Sequence, residues 1–261
     1  MEALKIYVMG YFGGRFWEID FARGLAVALM ISFHFFYDLS FFGRAAIDLA
    51  GGFWFLFPRA IAALFILLVG VSLTLSYSRA RREMAGPGLF LKYLRRGALI
   101  FSTGLLITLM TGIFIPGQYV VFGILHFIGL SIILAYPFLR LRYANIILGA
   151  AAIAAGFWVQ NMVSDGPYLL WLGIAPEGFS SVDYFPLLPW FGLVLIGIFL
   201  GKTFYPDNVR RISMPDLSEN RAVKTFCCLG RHSLLVYLIH QPVLIALLYA
   251  AGLIDLKALF V

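Results

Sequence analysis

The sequence predicts an all-α fold, a polytopic bundle of about seven transmembrane helices whose N-terminus lies in the cytoplasm. Of its 261 residues, 62% are hydrophobic and 13% are charged, whereas a soluble domain carries about 25% charge. The apolar residues come in blocks of about 20, enough for a helix to cross a hydrocarbon core about 30 Å thick. Backbone groups cannot stay unpaired in lipid, and the blocks lack the alternation of barrel strands, so they are predicted to be helices.

Seven spans are predicted, and glycines and prolines separate the early ones. They cover residues 20–42, 53–77, 92–113, 118–139, 143–163, 184–202 and 232–253. The longest polar stretch, 205–224, is predicted to be a loop inside a single membrane domain that covers residues 1–261. The spacing of Gly197 and Gly201 permits close helix packing. No removable signal peptide is expected, because the first fifteen residues lack a basic region and a cleavage site.

The basic residues indicate how the chain is oriented. Of its 20 lysines and arginines, all except Arg44, Arg59 and Lys257 fall in segments that are cytoplasmic if the N-terminus is inside. The loop 164–183, on the opposite side, contains acidic residues and no basic one. The net charge of +7 is therefore attributed to topology and to contacts with anionic membrane lipids or an anionic cofactor, not to nucleic acid. The expected location is the cell membrane.

Two adjacent cysteines, Cys227 and Cys228, are the only ones in the chain. They form no C-x-x-C pair and have no metal-ligand spacing, so we expect them to be reduced and structural. No metal site is expected.

Four ionisable side chains share one face of the first predicted helix. At 100° per residue, Asp20, Arg23, His34 and Asp38 lie within about 60° of one another. His34 lies about 16 Å along the axis from Arg23, and Asp38 about 6 Å further. Ionisable groups at such depth are costly and usually face a protein interior or an aqueous cavity. The stripe is a candidate site, although an Asp20–Arg23 helix-end ion pair and a hydrogen-bonded core histidine at His34 stay open as structural alternatives.

Further polar residues lie in other predicted spans. His126 falls in the fourth span, and His240 and Gln241 fall in the seventh. A lone buried histidine is more often part of the packing than of the chemistry, so both interpretations stay open for the two histidines.

Arg59 lies near the outer end of the second predicted span. It is expected to neutralise Asp38 or Asp48 across helices, and with Gln241 it is a candidate for positioning an acceptor.

Four sequence blocks, in order, carry a family resemblance. They are D-x-x-R-G-x-A-x-x-L-M, FGILHFIGL, DYFPLLPWFGLVLIGIFLG and LGRHSLLVYLIHQPVL. The chain resembles the prokaryotic heparan-α-glucosaminide N-acetyltransferase catalytic-domain family, and the spacing of Arg23 and His34 is similar to the arginine–histidine signature of the wider transmembrane acyltransferases. The animal lysosomal members carry an H-x-x-W-N-G segment after the first helix. The corresponding region, 42–55, has no histidine. The resemblance therefore implies that His34 or another histidine takes the catalytic role.

The resemblance implies acetyl transfer from cytosolic acetyl-CoA to an amine or hydroxyl of a sugar or glycan-type acceptor. The donor-binding candidates are the basic residues near the inner ends of the helices and one acidic neighbour, namely Arg23, Asp20, Arg95, Arg96 and Arg231. His34 is the expected base or nucleophile, with Asp38 fixing its tautomer. The candidates for stabilising an oxyanion or positioning the acceptor are His126, His240 and Gln241.

Two other functions fit some of these features. A proton-coupled transporter or flippase also needs intramembrane His, Asp and Arg, but no internal repeat is found. A haem protein needs paired axial histidines, which the spacing does not provide, so no haem is expected. Direct transfer, an acetyl-histidine intermediate and homo-oligomer formation all stay open.

The charge asymmetry makes the topology testable. A reporter fused at Val261 is expected to be external, and one inserted in the loop 205–224 is expected to be cytoplasmic. Accessibility of each reporter to a membrane-impermeant reagent in intact cells measures this. Both reporters on one side would remove one predicted span.

Overall fold

The computed structural model describes residues 15–49, 51–115 and 117–255. Within these ranges the chain forms eight α-helices and three short 3₁₀ turns, with no strand beyond an isolated bridge. The helices are α1 (Trp17–Phe41), α2 (Gly52–Glu83), α3 (Pro87–Phe114), α4 (Ile124–Leu134), α5 (Tyr143–Val159), α6 (Leu187–Phe204), α7 (Arg221–Arg231) and α8 (Ser233–Ala250). The 3₁₀ turns are Pro137–Arg140, Pro167–Leu169 and Pro206–Asn208. The predicted all-α membrane bundle is confirmed.

Five of the described helices are long and apolar enough to cross a membrane: α1, α2, α3, α6 and α8. The predicted count of about seven is therefore too high by this measure, because α4 has 11 residues and α5 has 17. The span predicted at 118–139 is not one helix. Its first residues are not helical, α4 ends at Leu134, and the 3₁₀ turn Pro137–Arg140 follows. Pro137 cannot continue an α-helix, because its ring blocks the hydrogen bond and the space that the preceding turn requires.

The chain divides into two compact units. Among the described residues, the first contains those up to Phe65 and those from Ser213 onward, and the second contains those within Ile66–Ile212. Helices α1, α7 and α8 belong to the first unit, and α3 to α6 belong to the second. Helix α2 contributes residues 52–65 to the first unit and 66–83 to the second.

In the first unit, α1 and α7 cross at a pair of glycines. A Cβ built on Gly24 would collide with the carbonyl oxygen of Phe226 and lie 3.0 Å from the nitrogen of Gly230. A Cβ built on Gly230 would collide with the carbonyl oxygen of Asp20. The two backbones are thus in direct contact, which only residues without a side chain permit.

Helix α7 lies entirely outside the predicted spans, and its first residues, 221–224, belong to the stretch 205–224 that was predicted to be a loop. It begins after Asn220, whose side-chain oxygen accepts hydrogen bonds from the backbone N–H groups of Ala222 (3.0 Å) and Val223 (3.4 Å). This is the usual way in which an asparagine satisfies the free N–H groups of a first helical turn. The helix is strongly amphipathic, with Cys227 and Gly230 buried on its apolar side.

In the second unit, small residues likewise bring helices together. The predicted close packing at Gly197 and Gly201 is present: a Cβ on Gly197 would lie 3.0 Å from the Cα of Gly70, and one on Gly201 would lie 3.0 Å from Thr74 Oγ1. The Thr74 hydroxyl is 3.2 Å from the carbonyl oxygen of Gly70 and 3.4 Å from that of Ile198. Helix α6 therefore packs on α2 through backbone contact supported by a hydroxyl.

The glycine crossing in the first unit predicts a stability difference. Gly24→Ala should lower the stability of the purified protein by about 1–3 kcal/mol, because the added methyl group meets backbone atoms that cannot rotate away. Gly112→Ala in α3 is the matched control, since nothing lies within 4 Å of its Cβ position and alanine favours the helix. Thermal unfolding in detergent measures both. Equal melting temperatures for the two variants would contradict the backbone contact.

Candidate functional site

At the N-terminal end of α1, one buried carboxylate lies among three guanidinium groups. Asp20 is 5% exposed. Its Oδ1 is 3.3 Å from Arg23 Nη1, and its Oδ2 is 3.4 Å from Arg231 Nε and 4.0 Å from Arg15 Nη1. Three positive charges around one negative charge leave this end of the first unit with a local excess of positive charge, which suits an anionic ligand.

The glycine crossing explains why these groups meet. Gly230 contacts α1 directly, so Arg231, the next residue, is carried to the carboxylate of Asp20. Arg23 spans the same crossing, because its Nη1 also donates to the carbonyl oxygen of Gly230 (3.3 Å). The predicted Asp20–Arg23 ion pair is therefore present, and Arg231, predicted from its charge alone, joins it.

The two adjacent cysteines are free, as predicted, and differ in environment. Cys227 is 2% exposed, and its Sγ donates to the carbonyl oxygen of Trp17 (3.3 Å). Burial and, secondarily, the charge of Asp20 raise the pKa of this thiol, whereas Arg231 opposes the rise. Cys228 is exposed. Cys227 is thus a packing residue of the α1–α7 contact.

A second polar cluster lies further along α1, where α8 approaches it. The rings of His34 and His240 meet edge to face with centroids 4.8 Å apart. Next to them, Gln241 Nε2 donates to Asp38 Oδ1 at 2.6 Å. Two residues of the predicted α1 stripe thus meet the two polar residues predicted in the last span. We call His34, Asp38, His240 and Gln241 the α1–α8 cluster.

The hydrogen bonds of the α1–α8 cluster assign its tautomers in part. His240 Nδ1 is 2.6 Å from the carbonyl oxygen of Tyr237, and because a carbonyl only accepts, Nδ1 carries the proton. Neutral His240 therefore has its lone pair on Nε2. The hydrogen bond given to Asp38 comes from Gln241, not from His34.

Several polar atoms of the α1–α8 cluster are buried without a hydrogen-bond partner among the described residues. They are His34 Nδ1, Asp38 Oδ2, His240 Nε2 and Gln241 Oε1. Buried polar groups are nearly always paired, so a concentration of such atoms from four side chains indicates a site that handles a polar ligand or a proton.

Aromatic rings surround the two histidines. Phe33 lies 5.6 Å and Tyr37 lies 6.2 Å from the ring of His34, and Tyr237 lies 5.6 Å from the ring of His240. These contacts limit the rotation of the imidazoles and keep their surroundings apolar, which strengthens electrostatic interactions within the cluster.

His126 has a different environment, in the second unit. The backbone N–H of Gly123 donates to its Nδ1 (3.2 Å), and its Nε2 is 3.4 Å from Thr108 Oγ1. The ring packs against Gly104, where a Cβ would lie 2.9 Å from Nδ1. Both ring nitrogens are thus used to start α4 and to attach it to α3, which favours the structural alternative considered for this residue. Asp183 supports the same turn by accepting from the N–H of Ile124 (3.0 Å).

The other predicted site residues lie apart from the α1–α8 cluster or have no described role in it. Arg59 donates to the carbonyl oxygen of Phe55 (2.6 Å), and its guanidinium lies over the Phe55 ring at 3.6 Å. This exposed side chain thus lies along its own helix, and the hydrogen bond to Asp38 comes from Gln241; a role of Arg59 towards Asp48 stays a prediction. Arg95 and Arg96 are exposed on α3 in the second unit.

We call Asp20 and its three arginines, Arg15, Arg23 and Arg231, the Asp20 cluster. One residue of this cluster was not predicted as part of a site. Arg15 was assigned only to the topology, although it lies five positions before Asp20, just ahead of α1. Arg15 approaches Asp20 because of the path that the chain takes into α1, and the sequence pattern does not specify that path.

Comparison with known proteins gives one match. The family model described as heparan-alpha-glucosaminide N-acetyltransferase, catalytic, matches residues 15–242. No curated protein and no solved structure matches the chain.

Proposed function

Because the chain belongs to the heparan-alpha-glucosaminide N-acetyltransferase catalytic family, which points to a membrane acetyltransferase, we propose that it moves an acetyl group from cytosolic acetyl-CoA to an amine or hydroxyl of a sugar-type acceptor. The family match confirms the resemblance seen in the four sequence blocks. It also favours a transferase over the transporter or flippase that the intramembrane charges alone left open. The observation that carries the proposed mechanism is the α1–α8 cluster, with its two contacting histidines.

The donor is proposed to bind at the Asp20 cluster. Coenzyme A carries its phosphates at one end, and guanidinium groups bind phosphates through paired, charge-assisted hydrogen bonds. Arg23 and Arg231 both contact Asp20, so the carboxylate holds the two guanidiniums in place before the donor arrives. Such preorganisation lowers the cost of ordering long side chains on binding. Arg95 and Arg96 belong to the second unit, so their expected role in donor binding stays a prediction from the sequence.

The thioester is proposed to reach His34 along α1. Arg23 and His34 lie on the same face of the helix, and eleven residues at 1.5 Å each separate them by about 16 Å. The long thin arm of coenzyme A suits such a path from the predicted cytoplasmic end into the membrane. The charged end then stays at the surface, while the reacting carbon enters the apolar surroundings of the histidines.

At the reacting carbon, His34 is proposed to act as base or nucleophile. In direct transfer, His34 takes the proton of the acceptor amine or hydroxyl as the new C–N or C–O bond forms. The C–S bond then breaks, and the proton passes to the leaving thiolate. In the two-step alternative, an imidazole nitrogen of His34 attacks the acyl carbon, and the C–S bond breaks to release the coenzyme A thiolate. The acceptor then attacks the same carbon, the bond to His34 breaks, and the proton of the acceptor neutralises the thiolate. Both routes begin from neutral His34.

The neighbours of His34 are proposed to manage its charge. His240 offers a lone pair at Nε2, while its Nδ1 proton is held by the carbonyl of Tyr237, so it can accept a proton or a hydrogen bond from a group between the rings. Two imidazolium ions in contact would repel, so only one of the pair carries a proton at a time. Asp38, fixed by Gln241, stabilises that positive charge, and the carbonyl of the Gln241 side chain is available to position the acceptor.

The donor site is tested by removing one guanidinium. Arg23→Ala should weaken acetyl-CoA binding about tenfold or more, because a charge-assisted hydrogen bond to a phosphate is lost. Isothermal titration of the purified protein in detergent measures the dissociation constant. Arg231→Ala should give a loss of similar size.

The control for this experiment is Arg221→Ala. Arg221 is an exposed arginine at the start of α7, so the variant removes the same charge from the same helix as Arg231→Ala. Donor affinity that is equal in Arg23→Ala and Arg221→Ala would reduce Arg23 to a helix-end ion pair with Asp20.

The catalytic assignment is tested by ranking the deep histidines. His34→Gln keeps a hydrogen-bonding side chain but loses proton transfer, so turnover should fall about 10²–10⁴-fold with little change in donor affinity. His240→Gln and Asp38→Asn should give smaller losses, because these residues act through His34. Acetyl transfer from labelled acetyl-CoA to a hexosamine acceptor measures the rates.

His126→Gln is the comparison in this series. It should lower thermal stability, because the Gly123 N–H and Thr108 lose their shared partner, while turnover of the folded protein stays near that of the wild type. Wild-type turnover in His34→Gln, together with a collapse in His126→Gln, would transfer the catalytic role to the second unit.

A further inference from the structure

The reaction proposed for the α1–α8 cluster requires a hydrogen-bond donor for the carbonyl oxygen of the thioester. When a nucleophile attacks the acyl carbon, the electrons of the C=O π bond move to that oxygen. The resulting oxyanion is stabilised by donors that are already in place. Here the requirement is greater, because the carboxylate of Asp38 repels a second negative oxygen nearby.

The donors of the α1–α8 cluster are directed to partners within the protein. His240 gives its Nδ1 proton to the carbonyl oxygen of Tyr237 (2.6 Å), and Gln241 Nε2 donates to Asp38 Oδ1 (2.6 Å). Three of the buried atoms without a partner in the described part of the chain are Asp38 Oδ2, His240 Nε2 and Gln241 Oε1. These atoms are acceptors when the imidazole is neutral and the carboxylate is ionised. The cluster therefore offers lone pairs where an oxyanion requires N–H or O–H groups.

His126, the third residue predicted to stabilise an oxyanion, also has partners of its own. Its Nδ1 accepts from the backbone N–H of Gly123, and its Nε2 lies 3.4 Å from the hydroxyl of Thr108, both in the second unit. The ring therefore has no free N–H to offer. A side chain that the sequence did not indicate is needed for this task.

Tyr37 of α1 carries a hydroxyl next to His34. The two rings meet with centroids 6.2 Å apart, and Tyr37 follows His34 by three residues and immediately precedes Asp38. Its side chain is half-buried, and within the described ranges its hydroxyl has no hydrogen-bond partner. Unlike the partnerless atoms of the α1–α8 cluster, this oxygen is not fully buried, so a bound molecule can contact it.

Neighbouring rings fix the position of Tyr37. Phe41 stacks on it with centroids 6.2 Å apart and an interplanar angle of 17°, and Phe33 lies 6.0 Å away. Phe33 also contacts the ring of His34 (5.6 Å). Three rings of α1 thus hold the phenol beside the imidazole. A hydroxyl that is held in this way needs little reorganisation when charge develops next to it.

A position at the membrane interface is the simpler explanation for an unpaired tyrosine hydroxyl. Tyrosines near the ends of membrane helices often direct the hydroxyl to the lipid headgroups, and Tyr37 lies four residues before Phe41, where α1 ends. This explanation accounts for the depth of Tyr37. It accounts neither for the contact with His34 nor for the shortage of donors in the α1–α8 cluster. The two explanations also make opposite predictions for the loss of the hydroxyl.

From these observations we propose that Tyr37 is a further catalytic residue, whose hydroxyl donates a hydrogen bond to the carbonyl oxygen of the thioester as that oxygen becomes an oxyanion. This inference rests on the acetyl transfer proposed above. As the acceptor or His34 attacks the acyl carbon, the negative charge moves to the oxygen, and Tyr37 keeps its proton throughout. When the C=O double bond forms again, the C–S bond breaks and the charge leaves with the thiolate.

The proposal is tested by removing the hydroxyl alone. Tyr37→Phe keeps the aromatic ring, so acetyl-CoA affinity and the melting temperature should stay close to those of the wild type. Loss of one oxyanion donor should lower turnover about 10²–10³-fold. Release of the coenzyme A thiol by the full chain in detergent measures turnover, with a hexosamine acceptor and with water alone. Because the hydroxyl acts on the donor, both rates should fall by the same factor.

Tyr249→Phe is the matched control. Tyr249 is 54% exposed on α8, so this variant also removes one tyrosine hydroxyl from the first unit, and both rates should stay at the wild-type values. A loss in Tyr37→Phe that is confined to the hexosamine reaction would assign Tyr37 to positioning the acceptor. Equal rates in the two variants would assign it to the membrane interface. Either result overturns the proposal.

The same measurements separate this inference from the proposed function. If the wild type hydrolyses acetyl-CoA but does not acetylate the hexosamine, the proposed acceptor is wrong, and the hydrolysis rates still test Tyr37. If the wild type does neither, the proposed reaction is wrong and the role of Tyr37 is overturned with it. An active wild type with an equally active Tyr37→Phe contradicts the role of Tyr37 alone.

Discussion

The ion pair between Asp20 and Arg231 depends on backbone contact between α1 and α7. A carboxylate that is 5% exposed is tolerable only when cations and hydrogen bonds compensate for its lost hydration. One of its three arginines, Arg231, reaches it because Gly24 and Gly230 let the helices touch. A side chain at either glycine would separate the arginine of α7 from the carboxylate of α1, leaving a buried charge with fewer partners. At this end of the first unit, the ion pairing of Asp20 therefore depends on the close packing of the two helices.

The α1–α8 cluster shows how a membrane protein can keep polar chemistry in an apolar place. Gln241 and Asp38 satisfy one another, and the backbone of α8 holds the Nδ1 proton of His240. The remaining polar atoms of the cluster are buried and have no hydrogen-bond partner among the described residues. Water molecules in bulk solvent would have to reorient to stabilise a developing charge, whereas these groups are already held in place when a reaction begins.

The sequence predicted the α1 face well and its partners incompletely. The 3.6-residue period alone places Asp20, His34 and Asp38 on one side of α1, because helix geometry is nearly invariant. Which face of α8 meets that stripe depends on how the helices are rotated and crossed, and this follows from packing details that a pattern does not contain. For the same reason the paired nitrogens of His126 were not foreseeable: one of its partners is the backbone N–H of Gly123, and backbone groups leave no signature in a sequence.

The difference in exposure between Cys227 and Cys228 makes the opening of the α1–α7 contact measurable. The two thiols are neighbours in the chain, so a reagent reaches both at the same concentration, but Cys227 is 2% exposed and contacts the first turn of α1. A modifying reagent can reach Cys227 only while α7 has separated from α1. The ratio of the two labelling rates therefore measures the free energy of this local opening. The wild-type chain thus contains its own reporter and reference for the separation of α1 and α7.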